Sequence, residues 1–304
     1  MSAGDTCRRV AAIRALASEN AHHPYSEPLT EILAGTDQLT FMRETHSRKS
    51  SSDGESSPPP KIVDTVVIRA MMLDHLLLEE CTQDDDDCGC IQIVILGAGM
   101  DARADRLKMP GSRNIKWFEV DQDEVVTIKE VSKNGMEHSE NNNNKVVRLK
   151  LDLAVNLDQL FPSLEANGFD PSDRTIYTLE GLLHCVPLEG ITKLFDALAS
   201  VPKSTMLVTM IDQEMLQDVH AQAASSSNEQ PESIRRTMQN MSQIWKTDLS
   251  DISTSDVLGK WKITRQAGTT QDEGWVARFC PGWTASLGIL KGGEHVLQLK
   301  QASE

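Results

Sequence analysis

Residues 91–96, IQIVIL, run without a break into LGAGMDARADRL at 96–107. A short, branched, nearly continuous apolar run that ends in glycine reads as an inner strand of a parallel sheet, buried on both faces. Gly97 and Gly99, with Ala102 in third place, satisfy G-x-G-x-x-G/A, in which the glycines let a tight turn bring backbone close to a ligand. Glu119 and Asp121 follow Gly99 by 20 and 22 residues, at the end of the next apolar run. An acid there can accept from both hydroxyls of a ribose, and these two side chains alternate to the same sheet face. The pattern predicts a nucleoside-binding turn at the edge of an α/β sheet.

The rest of the chain agrees with that class. IKWFEV at 115–120, KVVRLKL at 145–151, TIYTL at 175–179 and STMLVTMI at 204–211 have strand character, with helical patterns after at least the second and fourth. Such alternation predicts a doubly wound, mostly parallel, Rossmann-like sheet. KWKITRQA at 260–267 and EHVLQLKQ at 294–301 have no helix evident between them and are expected as C-terminal antiparallel strands. Residues 5–20 and 61–80 carry apolar positions at helical spacing, Ile62, Val66, Ile68, Leu73, Leu76 and Leu77 in the second. Residues 1–82 are therefore expected as an N-terminal helical cover on a core at 90–304, the two forming one integrated domain. Polar stretches at 45–60, 83–89, 134–144 and 221–232 lack the apolar residues that offset chain-ordering entropy and are expected as loose loops.

Composition removes several functions. With 30 Lys+Arg against 45 Asp+Glu the formal charge is −15, unsuited to counterion release on nucleic acid or to an anionic membrane surface. Aromatics at 4% supply few rings for a base-stacking platform. No apolar run approaches the roughly 20 residues of a spanning helix, and the N-terminus has no signal-peptide core. Of six cysteines only Cys81, Cys88 and Cys90 cluster, without C-x2-C spacing or a nearby histidine, so no metal site is expected and a reducing, cytoplasmic compartment is.

The choice of nucleoside follows from charge. A dinucleotide lays its pyrophosphate at the helix N-terminus after the glycines, where Asp101 and Asp105 would repel it. S-adenosylmethionine has no phosphate and bears a sulfonium and an ammonium, which those acids attract, although Arg103 and Arg106 stand beside them.

In order and spacing, LGAGMDARADRL, FEVDQDEVVTIKE at 118–130, LDLA at 151–154 and TLEGLLHCVP at 178–187 resemble the leucine carboxyl methyltransferase family and its bacterial polyketide-type relatives. HHPYSEPL at 22–29 and TVVIRAMMLDHLL at 65–77 resemble its N-terminal helical segment, so the likeness covers about residues 5–211. It implies a class I methyltransferase fold with S-adenosylmethionine as cofactor. It also implies Arg69 as the arginine that meets the methionyl carboxylate, Gly97 as the cradling glycine and Asp121 as the ribose acid. Asp152 and Leu153 would flank adenine, and Glu180 would lie near the ammonium group. Where many members carry Met-Tyr-Leu or Val-Tyr-Met, this chain has His184, Cys185 and Val186, so an aromatic residue of the acceptor pocket is replaced. His184 is a candidate general base for a hydroxyl acceptor. Arg8 or Arg9 lies where the family has a basic helix near the acceptor carboxylate.

Methyl transfer from a sulfonium is an in-line displacement that needs alignment and dryness more than a nucleophile-base pair. The expectation is an S-adenosylmethionine-dependent O-methyltransferase acting on a carboxyl or hydroxyl group, most simply of a small molecule. A peptide C-terminus is the alternative within the family; a non-catalytic cofactor-binding descendant and a nicotinamide oxidoreductase are the alternatives outside it.

Overall fold

The N-terminal elements are α1 (Ala3–Glu19), α2 (Thr30–Ser50), β1 (Ile62–Asp64) and α3 (Thr65–Thr82), and β2 (Cys90–Leu96) follows them. Next come α4 (Arg103–Arg106), β3 (Asn114–Asp121), α5 (Asp123–Lys133), β4 (Val146–Lys150), α6 (Leu160–Ala166) and β5 (Arg174–Leu179). The chain ends with α7 (Leu188–Leu198), β6 (Ser204–Ile211), α8 (Gln213–Ala224), α9 (Glu232–Ile244), β7 (Trp261–Gly268), β8 (Thr284–Ser286) and β9 (Glu294–Gln301). This computed structural model describes residues 2–19, 23–50, 62–83, 89–110, 114–133, 146–225, 232–269, 278–280, 284–286 and 290–302. Most of the expected loose stretches, with Cys88, lie outside them.

Seven strands form one sheet in the order β4-β3-β2-β5-β6-β9-β7, parallel from β4 to β6 and antiparallel at β6·β9 and β9·β7. The expected strands and the terminal antiparallel pair are all present. The order reverses between β2 and β5, so the crevice at their C-terminal ends is the place where such a sheet takes a ligand. Every residue of β2 and of β6 is buried, which is why both read as largely apolar runs. Gln92, the one polar residue of IQIVIL, is satisfied by Asp170: its Nε2 donates to the Asp170 carbonyl at 2.7 Å and its Oε1 accepts the Asp170 N–H at 2.7 Å.

Two apolar layers hold the sheet. On one face α3 lays Ile68, Met72, Leu73, Leu76 and Leu77 against Ile91, Ile93, Ile95, Ile176, Leu207 and Val296. On the other, Leu160 and Leu164 of α6 and Leu194, Phe195 and Leu198 of α7 meet Val94, Leu96, Phe118, Tyr177 and Val208. Each side chain so buried contributes about 1.5–3 kcal/mol before chain entropy is subtracted. At the edge of the sheet away from the crevice, the fully buried Glu80 of α3 is met by Arg174 at 2.8 Å, Gln298 at 2.5 Å, Lys300 at 3.0 Å and Thr205 at 3.2 Å.

A third apolar cluster ties the N-terminal helices to the glycine turn. Ala11, Ala12 and Ala15 of α1 pack with Leu33, Ala34 and Leu39 of α2 and with Met100, Ala102 and Val125. Small side chains let the two helix backbones approach, and α2 bends at Gly35, which has φ +72°.

The structure departs from the expectations in four places. The helix expected from residue 61 begins at Thr65, because Asp64 caps it by accepting the Val66 N–H at 2.9 Å. Residues 62–64 pair instead with Thr284–Ser286 in a small parallel sheet. Residues 45–50 continue α2 and residues 221–224 continue α8, so the polar loops expected there begin later. The polar helix α9 was not expected at all.

Candidate functional site

The glycine turn leaves β2 through Gly97 and Gly99, at φ +66° and +48°, a region that other residues enter only at a cost of roughly 1–2 kcal/mol. A Cβ on Gly97 would lie 3.0 Å from the Leu182 side chain, and one on Gly99 would lie 3.1 Å from Cys7 Sγ of α1. The turn is thus flanked by the segment after β5 and by the first helix. Only one helical turn, α4, follows it. The extended helix whose dipole would favour a pyrophosphate is therefore missing.

Asp121 ends β3 beside this turn. Its Oδ2 accepts the Gly99 N–H at 2.6 Å and its Oδ1 accepts the Gln122 N–H at 2.7 Å. Burial raises its pKa, opposed by those two N–H groups. A carboxylate has about four lone-pair positions, so two stay open for further donors. Glu119 is in a different state: its Oε2 is held by Lys129 at 2.8 Å and Arg148 at 2.9 Å, and the residue is 1% exposed. The alternative of Glu119 as ribose acid finds its carboxylate enclosed in a buried ion pair. Asp152 lies past the end of β4, its Oδ1 accepting the Ala154 N–H at 2.9 Å and its Oδ2 the Gln122 side-chain amide at 3.1 Å. Leu153 packs half-buried on the core beside it.

At the end of β5, Gly181 has φ +68°, and a Cβ there would lie 3.3 Å from Arg69 Nη2. Arg69 donates from Nε to Glu180 at 3.0 Å and from Nη1 to Glu294 at 2.8 Å. Glu180 also meets Arg103 at 2.6 Å and Arg14 of α1 at 3.7 Å. Against the burial that would raise it, the guanidiniums of Arg103, Arg14 and Arg69 hold its carboxyl well below the usual carboxylate range. The network runs on through Asp101 and Asp74 on Arg103, then Arg106 on Asp74 at 2.7 Å and on Glu27 at 3.5 Å. Four arginines face five carboxylates, an excess of one negative charge if all are ionised. Burial raises Glu27 and Glu294, the two members at its margins, although their arginine partners oppose it.

This arrangement corrects the sequence argument about the turn. Asp101 is paired with Arg103, and Asp105 with Lys133 at 2.5 Å, so neither stands free to attract a cation. The negative excess belongs to the network as a whole, and Glu294 and Glu27, which help to create it, carried no signal in the sequence. Arg69 and Glu180 do come together, but paired directly with each other.

The remaining candidates separate by burial. Arg8 donates from Nε to the Ala34 carbonyl at 2.9 Å, and a side chain at Gly35 would collide with its guanidinium. It supplies the hydrogen bond that the bend in α2 would otherwise lose. Arg9 reaches Thr237 of α9 with Nη1 at 3.2 Å and lies 5.3 Å over the Phe41 ring, with its Nε buried and unpaired. His184, in the turn Leu183–Cys185 after β5, is 5% exposed and stands edge-on to Trp245 with ring centroids 4.8 Å apart. Burial, then Arg69, push its pKa down to about 3, so it is neutral at pH 7 and a weak proton acceptor. Burial pushes the Cys7 and Cys185 thiols up to about 12. Among the described residues no group of three or more His, Cys, Asp or Glu could hold a metal ion, and no helix is long and apolar enough to cross a membrane.

The geometry suits a nucleoside joined to a zwitterion. It offers a left-handed glycine turn, an acid with open lone pairs, and a guanidinium beside a carboxylate at the switch between β2 and β5. A family model described as leucine carboxyl methyltransferase matches residues 8–199. A protein of Mycobacterium marinum named as an S-adenosyl-L-methionine-dependent methyltransferase is 28% identical over 287 residues, 92% of this chain and 82% of its own. A protein of Mycobacterium avium with the same name is 28% identical over 190 residues, 62% of this chain and 54% of its own. The crystal structure of a methyltransferase from Thermobifida fusca shares the fold, with a TM-score of 0.50 at 10% identity over 96% of this chain and 94% of that one.

Proposed function

The chain belongs to the leucine carboxyl methyltransferase family and is an S-adenosylmethionine-dependent methyltransferase, and from that premise we propose that it methylates a carboxyl or hydroxyl oxygen of a small molecule. The observation that carries this reading is the zwitterion-matching pair Arg69 and Glu180 at the end of β5, across the switch point from the Gly99–Asp121 contact. When bound, S-adenosylmethionine supplies a methyl group made electrophilic by a sulfonium.

The residues of the chain bind and orient. Asp121 accepts the ribose hydroxyls with the lone pairs that Gly99 and Gln122 leave open. Asp152 accepts the exocyclic amine of adenine, and Leu153 packs on the ring. Arg69 exchanges part of its pairing with Glu180 for the methionyl carboxylate, and Glu180 takes the ammonium in return. Gly97 lets the backbone approach the ligand. Arg9, whose buried Nε has no partner, holds the acceptor's negative charge; Arg8 serves the bend in α2.

A carboxylate is the better acceptor. Neither His184 near 3 nor Cys7 and Cys185 near 12 can take a hydroxyl proton at neutral pH, whereas a carboxylic acid arrives already ionised. Its attacking oxygen then needs only alignment with the methyl carbon and sulfur. The free thiols of Cys7, Cys185 and Cys280 suit a reducing cytoplasm.

The test is incubation of the full chain with S-adenosylmethionine and a panel of carboxylic acids and matched alcohols, reading methyl esters and ethers by mass spectrometry. Esters from the acids, absent in Asp121→Ala, support the reading. No methylated product from either class, with S-adenosylhomocysteine binding intact, overturns it.

A further inference from the structure

Gln122 joins the acids that end β3 and β4. Its backbone N–H donates to Asp121 Oδ1 at 2.7 Å, and its side-chain Nε2 donates to Asp152 Oδ2 at 3.1 Å. An ionised carboxylate only accepts, so the amide must turn its nitrogen toward Asp152. The surrounding backbone is held separately. The Leu151 N–H donates to the Asp121 carbonyl at 2.8 Å, tying the end of β4 to the end of β3, and the Val126 N–H donates to the Gln122 carbonyl at 3.0 Å in the first turn of α5. Asp152 Oδ1 accepts the Ala154 N–H at 2.9 Å. What the Gln122 side chain adds to this frame is its link to Asp152, and that link works against a repulsion. Burial is the largest cause that raises the Asp121 pKa, and the charge of Asp152 adds to it, so the two carboxylates sense each other. Asp121, Gln122, Asp152 and Leu153 are half-buried rather than enclosed, and Val155, in the turn that follows, is 73% exposed. Both acids and the amide between them are therefore open to a ligand from solvent.

The direction of the base follows from what flanks Asp121. Toward β2 and β5 stands the arginine–carboxylate network; toward β4 stand one acid, a half-buried leucine and an exposed valine. Neighbouring strands lie about 4.8 Å apart, so a ring carried by a ribose at the end of β3 lies over the end of β4. A neutral flat ring with an amine donor suits that side, and the charged half of the cofactor suits the other. We propose that Gln122 is a positioning residue for cofactor recognition: it clamps Asp152 at a fixed spacing from Asp121, so that the ribose and the exocyclic amine of the base are read together. This rests on the methyltransferase reading above and deepens it. Gln122 acts through Asp152 and takes no part in the transfer itself.

The probes are S-adenosylhomocysteine and its analogue with hydrogen in place of the exocyclic amine, titrated calorimetrically into the full chain. Wild type should prefer the first by about tenfold, the worth of one hydrogen bond. Gln122→Met keeps the length of the side chain without the donor. It should weaken S-adenosylhomocysteine about tenfold and the analogue by less than about threefold, so that the preference shrinks to about threefold or less. Gln122→Glu keeps the shape and sets a further carboxylate against Asp152. Its S-adenosylhomocysteine affinity should be about tenfold below wild type at pH 7 and within about threefold of wild type at pH 5, where a proton shared by the facing carboxylates restores the donor. A residue that served only the fold would weaken both ligands alike and show no such recovery. Equal weakening of both ligands in Gln122→Met, an unchanged S-adenosylhomocysteine affinity in that variant, no preference in wild type, or no recovery of Gln122→Glu at pH 5 overturns the proposal and leaves the cofactor site standing. Loss of native circular dichroism in both variants would make the side chain part of the scaffold and overturn it too. Failure of wild type to bind S-adenosylhomocysteine strikes the methyltransferase reading itself, and this inference falls with it.

Discussion

Asp121 accepts the backbone N–H of Gly99 at 2.6 Å, so the acid that ends β3 also fixes the turn that ends β2. One carboxylate thereby couples the shape of the turn to the contacts expected for ribose.

Replacing Asp121 should accordingly cost more than a surface contact. Asp121→Asn keeps the size but exchanges an acceptor for a donor facing Gly99 or Gln122, and S-adenosylhomocysteine affinity is expected to fall at least tenfold, about 1.4 kcal/mol. Calorimetry on a variant with native circular dichroism checks this. Affinity within twofold of wild type would remove Asp121 from the site.

The network around Glu180 predicts a pH-dependent stability. Its carboxyl is depressed in the folded state, so the stabilisation is fully present above the unfolded value of about 4.3 and is lost as pH falls toward the lower folded value. Glu180→Gln should therefore be clearly less stable than wild type in urea at pH 7, and the difference should shrink at pH 3. Arg103→Met should cost about 3–5 kcal/mol at pH 7, because it leaves Asp101, Asp74 and Glu180 short of a buried partner. A difference for Glu180→Gln that is the same at both pH values contradicts the assignment.

Arg8 and Arg9, adjacent in sequence, should separate in experiment. Arg8→Met is expected to lower the melting temperature, since the Ala34 carbonyl loses its donor at the bend of α2. Arg9→Met should leave S-adenosylhomocysteine binding unchanged and raise the KM for a carboxylic acid acceptor about tenfold. The opposite pattern would exchange their roles.

The thiols offer a direct reading of burial. Cys7 and Cys185, pushed up to about 12, hold almost no thiolate at pH 8 and should be alkylated by iodoacetamide far more slowly in the folded protein than in urea. Mass spectrometry over a time course shows this, and equal rates would mean that α1 does not cover the turn.

How far the sequence anticipated these features depended on where the physics is local. Every residue of β2 and β6 is buried, so each announces itself as an apolar run, and the glycine turn and Asp121 lie within one strand-turn-strand unit. Helix α9 does carry a helical period, Ile234, Met238, Met241 and Ile244, but in an otherwise polar segment that follows a Ser-rich stretch. The ends of α2 and α8 read as loops for the same reason: solvent-facing helix and loop share a composition. Glu294 meets Arg69 across 225 residues, and Glu27 reaches Arg106 beyond β2 as well as the nearer Arg14. No spacing rule reaches such pairs. Asp101 and Arg103 stand two apart in the sequence, which leaves their pairing open; the fold closes it, with Asp74 and Glu180 on the same guanidinium.

Helix α3 is anchored at two heights: Arg69 binds Glu180 and Glu294 at the crevice, and Glu80 binds Arg174 and Gln298 at the far edge of the sheet. Eleven residues of helix put these anchors about 16 Å apart along its axis. Inserting or deleting a single residue between them would turn one anchor about 100° away from its partners, stranding a buried charge whichever end stayed docked. The amino acids along this stretch can drift in evolution, but its length cannot. Among descendants of this chain, gaps should therefore gather in the polar tracts that flank the helix and leave residues 69–80 unbroken.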